Sequence, residues 1–215
     1  ANASAVASQR KKWHTSPAHT KMNKARVLKD IPFELDVDAF FTHIRMEKES
    51  KRSKRIFEII ETASPYIRPV AMYKRAEIQM VDSDVFTIDG LAFKSREIVE
   101  ILKRESFVFP NIVSCGPEIE AFCVDRKKVL EQYITMELCN FSCAVAREAM
   151  FNAIRDEFKM EESTELFPGE KGWDLQQGIQ IFKIFSKETE GTGLSISEAG
   201  VPKPSRSAYG LIVGS

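Results

Sequence analysis

The chain has 215 residues, with 31 Lys and Arg against 31 Asp and Glu and 43% hydrophobic residues, the composition of a globular domain rather than of a disordered or fibrous chain. A formal net charge of zero leaves no long-range field to draw in nucleic acid or an anionic membrane. No stretch reaches the roughly 20 apolar residues that cross a bilayer, so the expectation is one cytoplasmic domain without a nucleic-acid or membrane partner.

Residues 1–26 are rich in Ala, Ser and basic residues with no sustained apolar period, the pattern of a flexible leader ahead of a single domain over 27–215. His14 and His19 fall in this leader, where nothing would orient them as metal ligands. His43, beside Phe40, Phe41 and Ile44, reads as packing or surface, so a Ser or Cys hydrolase of the usual kind is disfavoured. Within residues 38–63 the clusters Phe40/Phe41/Ile44 and Ile56/Phe57/Ile59/Ile60 fit amphipathic helix. The charged run 47–55 between them reads as a solvated helix face or a docking patch for an acidic partner, and Pro65 and Pro69 stop the helix.

Residues 70–95 are β-branched and aromatic and carry the turn signal Asp89-Gly90, which predicts two or three short strands. Ser95 is placed to cap a helix bearing Ile98, Ile101 and Leu102, and SFVFPNIVSCG reads as a buried strand ending near Gly116. From Glu118 to Phe158 there is neither Gly nor Pro, which predicts helix broken once near residues 125–128. Pro168-Gly169 then turns the chain into a helix marked by Leu175, Ile179, Phe182 and Phe185. The last 25 or so residues predict two antiparallel strands around a Pro-rich turn. Helices with an antiparallel sheet and no βαβ alternation make the class α+β.

Cys115, Cys123, Cys139 and Cys143 contain no CxxC pair, and Cys139 and Cys143 share a helix face. They read as buried thiols, with a metal or iron–sulfur cluster as the alternative. No phosphate loop, dinucleotide fingerprint or HExxH is present.

The most informative region is ELFPGEKGWDLQQGIQIFKIF followed by VPKPSRSAYGLIVG. Through Pro168, Gly169, Trp173, Leu175, Gln177, Ile181, Phe182, Pro202, Ser205, Ser207 and Gly210 this pair resembles the activation domain of cobalamin-dependent methionine synthase, and more closely its free-standing small relatives. The resemblance implies a C-shaped α+β fold with an antiparallel sheet and flanking long helices. It implies a domain that binds S-adenosylmethionine and caps a cobalamin domain while inactive cob(II)alamin is reduced and remethylated.

By the same resemblance, the ligand motif Arg-x-x-Pro-Gly-Tyr corresponds to residues 165–170, with Phe167 and Gly169 at the ligand. Glu165 stands where the motif has Arg and Glu170 where it has Tyr, which puts S-adenosylmethionine binding in doubt, because a carboxylate repels the ligand's own. Glu148 is the candidate partner of the ligand ammonium, or else a solvated helix charge, and Ser205, Ser207 and Tyr209 lie at the cleft or merely close the turn. The implied function is a stand-alone activation-domain-like protein serving a corrinoid methyltransferase by docking on its cobalamin-binding protein. The alternatives are an S-adenosylmethionine-using methyltransferase or redox activator, and a structural adaptor without ligand.

Overall fold

The computed structural model describes residues 24–214. Most of the expected leader, with His14 and His19, therefore lies outside the described residues, and Arg26, assigned to the leader's end, opens strand β1 (Arg26–Leu28) instead. The sheet is organised around β6 (Phe107–Ser114), the eight-residue strand that the apolar run FVFPNIVS forms because both of its faces are covered. One edge of β6 pairs antiparallel with β10 (Ser207–Gly214), from Ile212 opposite Phe109 to Ser207 opposite Ser114. The other edge is divided: β2 (Val70–Tyr73) takes 111–114 and β3 (Ala76–Met80) takes Phe107 and Val108.

Pro110 sits at this fork. Its carbonyl accepts from Lys74 N at 3.2 Å, so its missing N–H points at the gap between β2 and β3 rather than into a ladder. Outside these strands lie β1 on β2, β7 (Ser163–Leu166) on β10, and β4 (Val85–Ile88) and β5 (Leu91–Lys94) beyond β3. Residues 70–95 thus hold four strands, more than the two or three expected, because the chain leaves β2 at Lys74-Arg75 and starts again as β3. Asp89 and Gly90 join β4 to β5 at φ of 50° and 78°, as a tight hairpin requires.

Side chains alternate across the sheet and divide the core. Val70, Met72, Val108, Ile112, Tyr209, Leu211 and Val213 face α3 (Arg96–Leu102), α6 (Gly178–Ile184) and the buried Trp173. Ser95 caps α3, accepting from Ile98 N at 3.3 Å. Leu175, expected on α6, lies in a preceding 3-10 turn (Leu175–Gln177) and is exposed. The intervening positions Ala71, Tyr73, Phe109, Val113 and Ile212 face the second half of a 30-residue helix, α5 (Val129–Phe158). The break expected near residues 125–128 separates α5 from α4 (Pro117–Val124).

The first half of α5 packs with α4, α1 (Val37–His43) and α2 (Ser53–Ala63) in a helical cluster of Phe40, Phe41, Ile56, Ile60, Ile119 and Leu138, among others. Most of the charged run 47–55 is turn between α1 and α2, not helix face. Its backbone is organised by Ser53, whose hydroxyl donates to Glu47 O at 2.7 Å. At the C-terminus the two expected strands do not pair with each other: the alternating segment gives β8 (Ser195–Ile196), which pairs with β9 (Pro202–Lys203) inside the expected Pro-rich turn, and the apolar end, β10, joins the main sheet. There it finds two unsatisfied strand edges, on β6 and β7.

Candidate ligand groove

Between α5 and the turn that leads into β10 runs a groove of about 330 Å³. Its helix wall is Asn140, Cys143, Ala144 and Arg147, one turn apart along α5; the opposite wall is Ser205, Arg206 and Ser207. A second depression of about 380 Å³ shares Ala144 and Arg147 and continues along the helix past Glu148, Phe151 and Arg155.

The 205–207 turn is held from several directions. Its backbone is anchored by the Glu120 carboxylate of α4, which accepts from Ser205 N, and by Cys115 N, which donates to Arg206 O at 3.1 Å. Ser207 Oγ donates to Pro204 O at 2.7 Å and lies 2.8 Å from Ser114 Oγ, which in turn accepts from Gly116 N at 3.2 Å. Gly116, at φ 95°, permits that corner: a Cβ there would run into the Arg68 carbonyl. Ser207 is therefore a clasp between β10 and β6 as well as a groove residue, while Ser205 is exposed.

Glu165 projects from β7 toward α5, where its two oxygens meet Nε (3.1 Å) and Nη2 of Arg147 in a forked ion pair. A guanidinium is thus present beside the position that the motif fills with Arg, but it comes from the helix, one residue before Glu148, and it is already paired. Glu148 is exposed in the second depression, next to Arg155.

The structure does not bring the remaining candidate residues into the groove lining. Tyr209 points to the opposite face of the sheet: it is buried, donates to Gly200 O at 2.6 Å, packs edge-on to Phe182 and fills the space above Gly178, where a Cβ would strike its ring. The reason is strand alternation: Ala208 and its cross-strand partner Val113 face the groove, and the next side chain turns to the other face of the sheet. Phe167 packs over Gly210. Gly169, at φ 96°, donates to Trp173 O at 2.7 Å and closes the Pro-Gly turn, with Glu170 exposed upon it. Gln177 likewise serves the fold: its amide brackets Lys94, accepting from N at 2.6 Å and donating to O at 2.7 Å, which satisfies the edge of β5.

Asn140, Arg147 and Arg206 were not singled out by the sequence, although Arg206 lies between two serines that were, and Cys143 was read as a thiol or cluster ligand and not as a groove residue. Glu137, one helical turn before Asn140 and Phe141, accepts from Asn140 Nδ2 at 2.9 Å and lies 2.8 Å from His43 Nε2. Burial raises its pKa, but those two hydrogen bonds together with the charges of His43 and Arg206 outweigh it and leave the carboxyl below its ordinary value. The thiols are all free: Cys115, hydrogen-bonded to the Cys139 thiol and buried, is pushed up, and burial pushes Cys143 up to about 11, so both are protonated at neutral pH. Among the described residues no group of three or more His, Cys, Asp or Glu is placed to hold a metal ion.

No protein-family model and no curated protein matches the chain. Among solved structures it is similar to the crystal structure of the MetH reactivation domain bound to AdoHcy, with a TM-score of 0.59 at 10% sequence identity, over 89% of this chain and 78% of that one. The chain has the fold of the MetH reactivation domain, helices around an antiparallel sheet. No described helix is long and apolar enough to cross a membrane.

Proposed function

We propose that the protein is a reactivation-domain-like module that supports a cobalamin-dependent methyltransferase by docking on its cobalamin-binding protein, where it serves reductive reactivation or methyl transfer. The observation that carries the reading is the likeness of fold over 89% of the chain to a domain solved with AdoHcy. The groove adds to it, because Glu148, Ser205 and Ser207, named by the sequence resemblance, gather along its walls and in the depression that continues it. In this reading the redox and methyl chemistry belongs to the corrinoid on the partner, and the chain supplies a surface that positions it.

S-adenosylmethionine fits the residues poorly. Glu165 holds the guanidinium of Arg147 in an ion pair, and Glu170 stands on an exposed turn where the motif has an aromatic side chain. We therefore propose that this ligand binds weakly or not at all. The test is an anaerobic pull-down in which the immobilised chain is offered a methionine synthase cobalamin domain carrying its corrinoid. Retention of corrinoid absorbance is expected, and a featureless eluate refutes the docking. Calorimetric titration with S-adenosylmethionine runs beside it, and micromolar affinity there would favour the enzyme alternative.

A further inference from the structure

The geometry points to an oxyanion site in the groove beside the 205–207 turn, built on Arg206, that takes the carboxylate or phosphate group of a small ligand. Arg206 Nε is buried without a hydrogen-bond partner. A guanidinium donor withdrawn from water and left without an acceptor is unfavourable, and such orphans in folded proteins mark places where another group belongs. The groove that Arg206 lines contains a second guanidinium, two serine residues and the Asn140 side chain, and no carboxylate stands among its lining residues.

The acidic side chains nearby are engaged elsewhere. Glu165 is forked onto Arg147, and Glu137, whose carboxyl feels the Arg206 charge, has its Oε2 shared between His43 and Asn140. The turn is also rigid before any ligand arrives, since Cys115 N, Glu120, Ser114 and the Pro204 carbonyl all bind it. A planar guanidinium fork matches both carboxylate and phosphate, which is why both classes are named. A groove of about 330 Å³ has room for more than a bare ion, so the anionic group would belong to a larger organic molecule.

This inference does not depend on the methyltransferase reading, since it concerns the groove's own chemistry. The test is a two-dimensional NMR titration of the full chain with inorganic phosphate and, separately, with succinate, at constant ionic strength set by chloride. The expected result is a saturable shift of the amides of Cys115 and residues 206–208, and the tighter of the two arms identifies the preferred group. Arg206→Gln should weaken that response by about tenfold or more, Arg206→Lys by less because it keeps the charge but loses the fork, and Arg104→Gln, an exposed arginine just past α3, should leave it unchanged. Thermal melts accompany each variant, and if Arg206→Gln does not fold, Arg206→Lys carries the comparison. Absence of saturation with both anions overturns the site, as does an undiminished response in Arg206→Gln. A response that appears only in Glu137→Gln also overturns it, since Arg206 would then be held by Glu137.

Discussion

The two halves of α5 are one continuous helix in two different environments. In the first half Ile134, Thr135, Glu137, Leu138 and Cys139 are all buried, because α1, α2 and α4 surround it; in the second half only Ala146, Met150 and Ile154 are. The buried positions 134, 138, 142, 146, 150 and 154 recur every four residues. Four residues advance a helix by about 40° beyond a full turn, so the buried stripe winds by about 200° along the helix. One end of the stripe faces a helical cluster and the other faces the sheet. The hand-over is at Ser142, which donates to the Cys115 carbonyl at 3.0 Å. The difference teaches that the groove exists because the second half is buried on a narrow strip, leaving Arg147 and Glu148 beside it.

The comparison is broken most severely by Leu138→Ala. Leu138 is fully buried in the helical cluster, and its truncation should cost about 2–5 kcal/mol in a thermal or denaturant melt while leaving the groove's phosphate titration unchanged. A groove that is lost together with stability would show that the two halves do not behave as separate environments.

Alkali probes the junction itself. The Cys143 thiol is held at about 11 by burial, against an ordinary value of 9.0, so the folded protein keeps its proton after the unfolded chain has released it. That contribution is complete below the unfolded pKa of about 9 and is lost as the pH rises through about 11; Cys143→Ala should flatten this part of the stability profile.

Adding bulk to the second half should matter less. Ala146 belongs to the cluster that contains Val113, Ala208 and Cys143, all at the groove, and Ala146→Leu should cost about 1–3 kcal/mol and shift the amides of the 205–207 turn. Smaller again is Ser207→Ala, at about 0.5–1.5 kcal/mol for the bonds to Pro204 and Ser114, whereas exposed Ser205→Ala should stay within about 0.5 kcal/mol. Equal melts for the two serine variants would remove the clasp. Arg147→Ala is also a small change, at about 0.2–1 kcal/mol and falling with added salt, because half of that side chain is exposed.

Local signals were legible where one residue type meets a backbone need. Ser95 announces the start of α3, Asp89-Gly90 the β4–β5 hairpin, and the charged break before Val129 the division of the long helix. The candidate site was half legible. Ser205 and Ser207 stand at the groove and Glu148 in the depression that continues it, but Tyr209 does not, because it adjoins Ala208 in β10 and the pleat sends neighbouring side chains to opposite faces. The charge pattern misled as well: Glu165 reads as a repulsive substitution until Arg147, from a helix 18 residues upstream, is found against it.

By itself, the sequence determined the α+β class, most helix and strand positions, and the neutrality that disfavours a polyanionic partner, since propensity, capping and periodicity act over a few residues and composition over the whole chain. Only the tertiary structure decided that β10 enters the main sheet between β6 and β7, that the stripe on α5 turns from one core to another, and that Arg206 is left with a buried, unpartnered donor beside Arg147. These depend on which distant segments meet. A pattern read along one strand or helix carries no information about the charge or shape of the surface that will be packed against it.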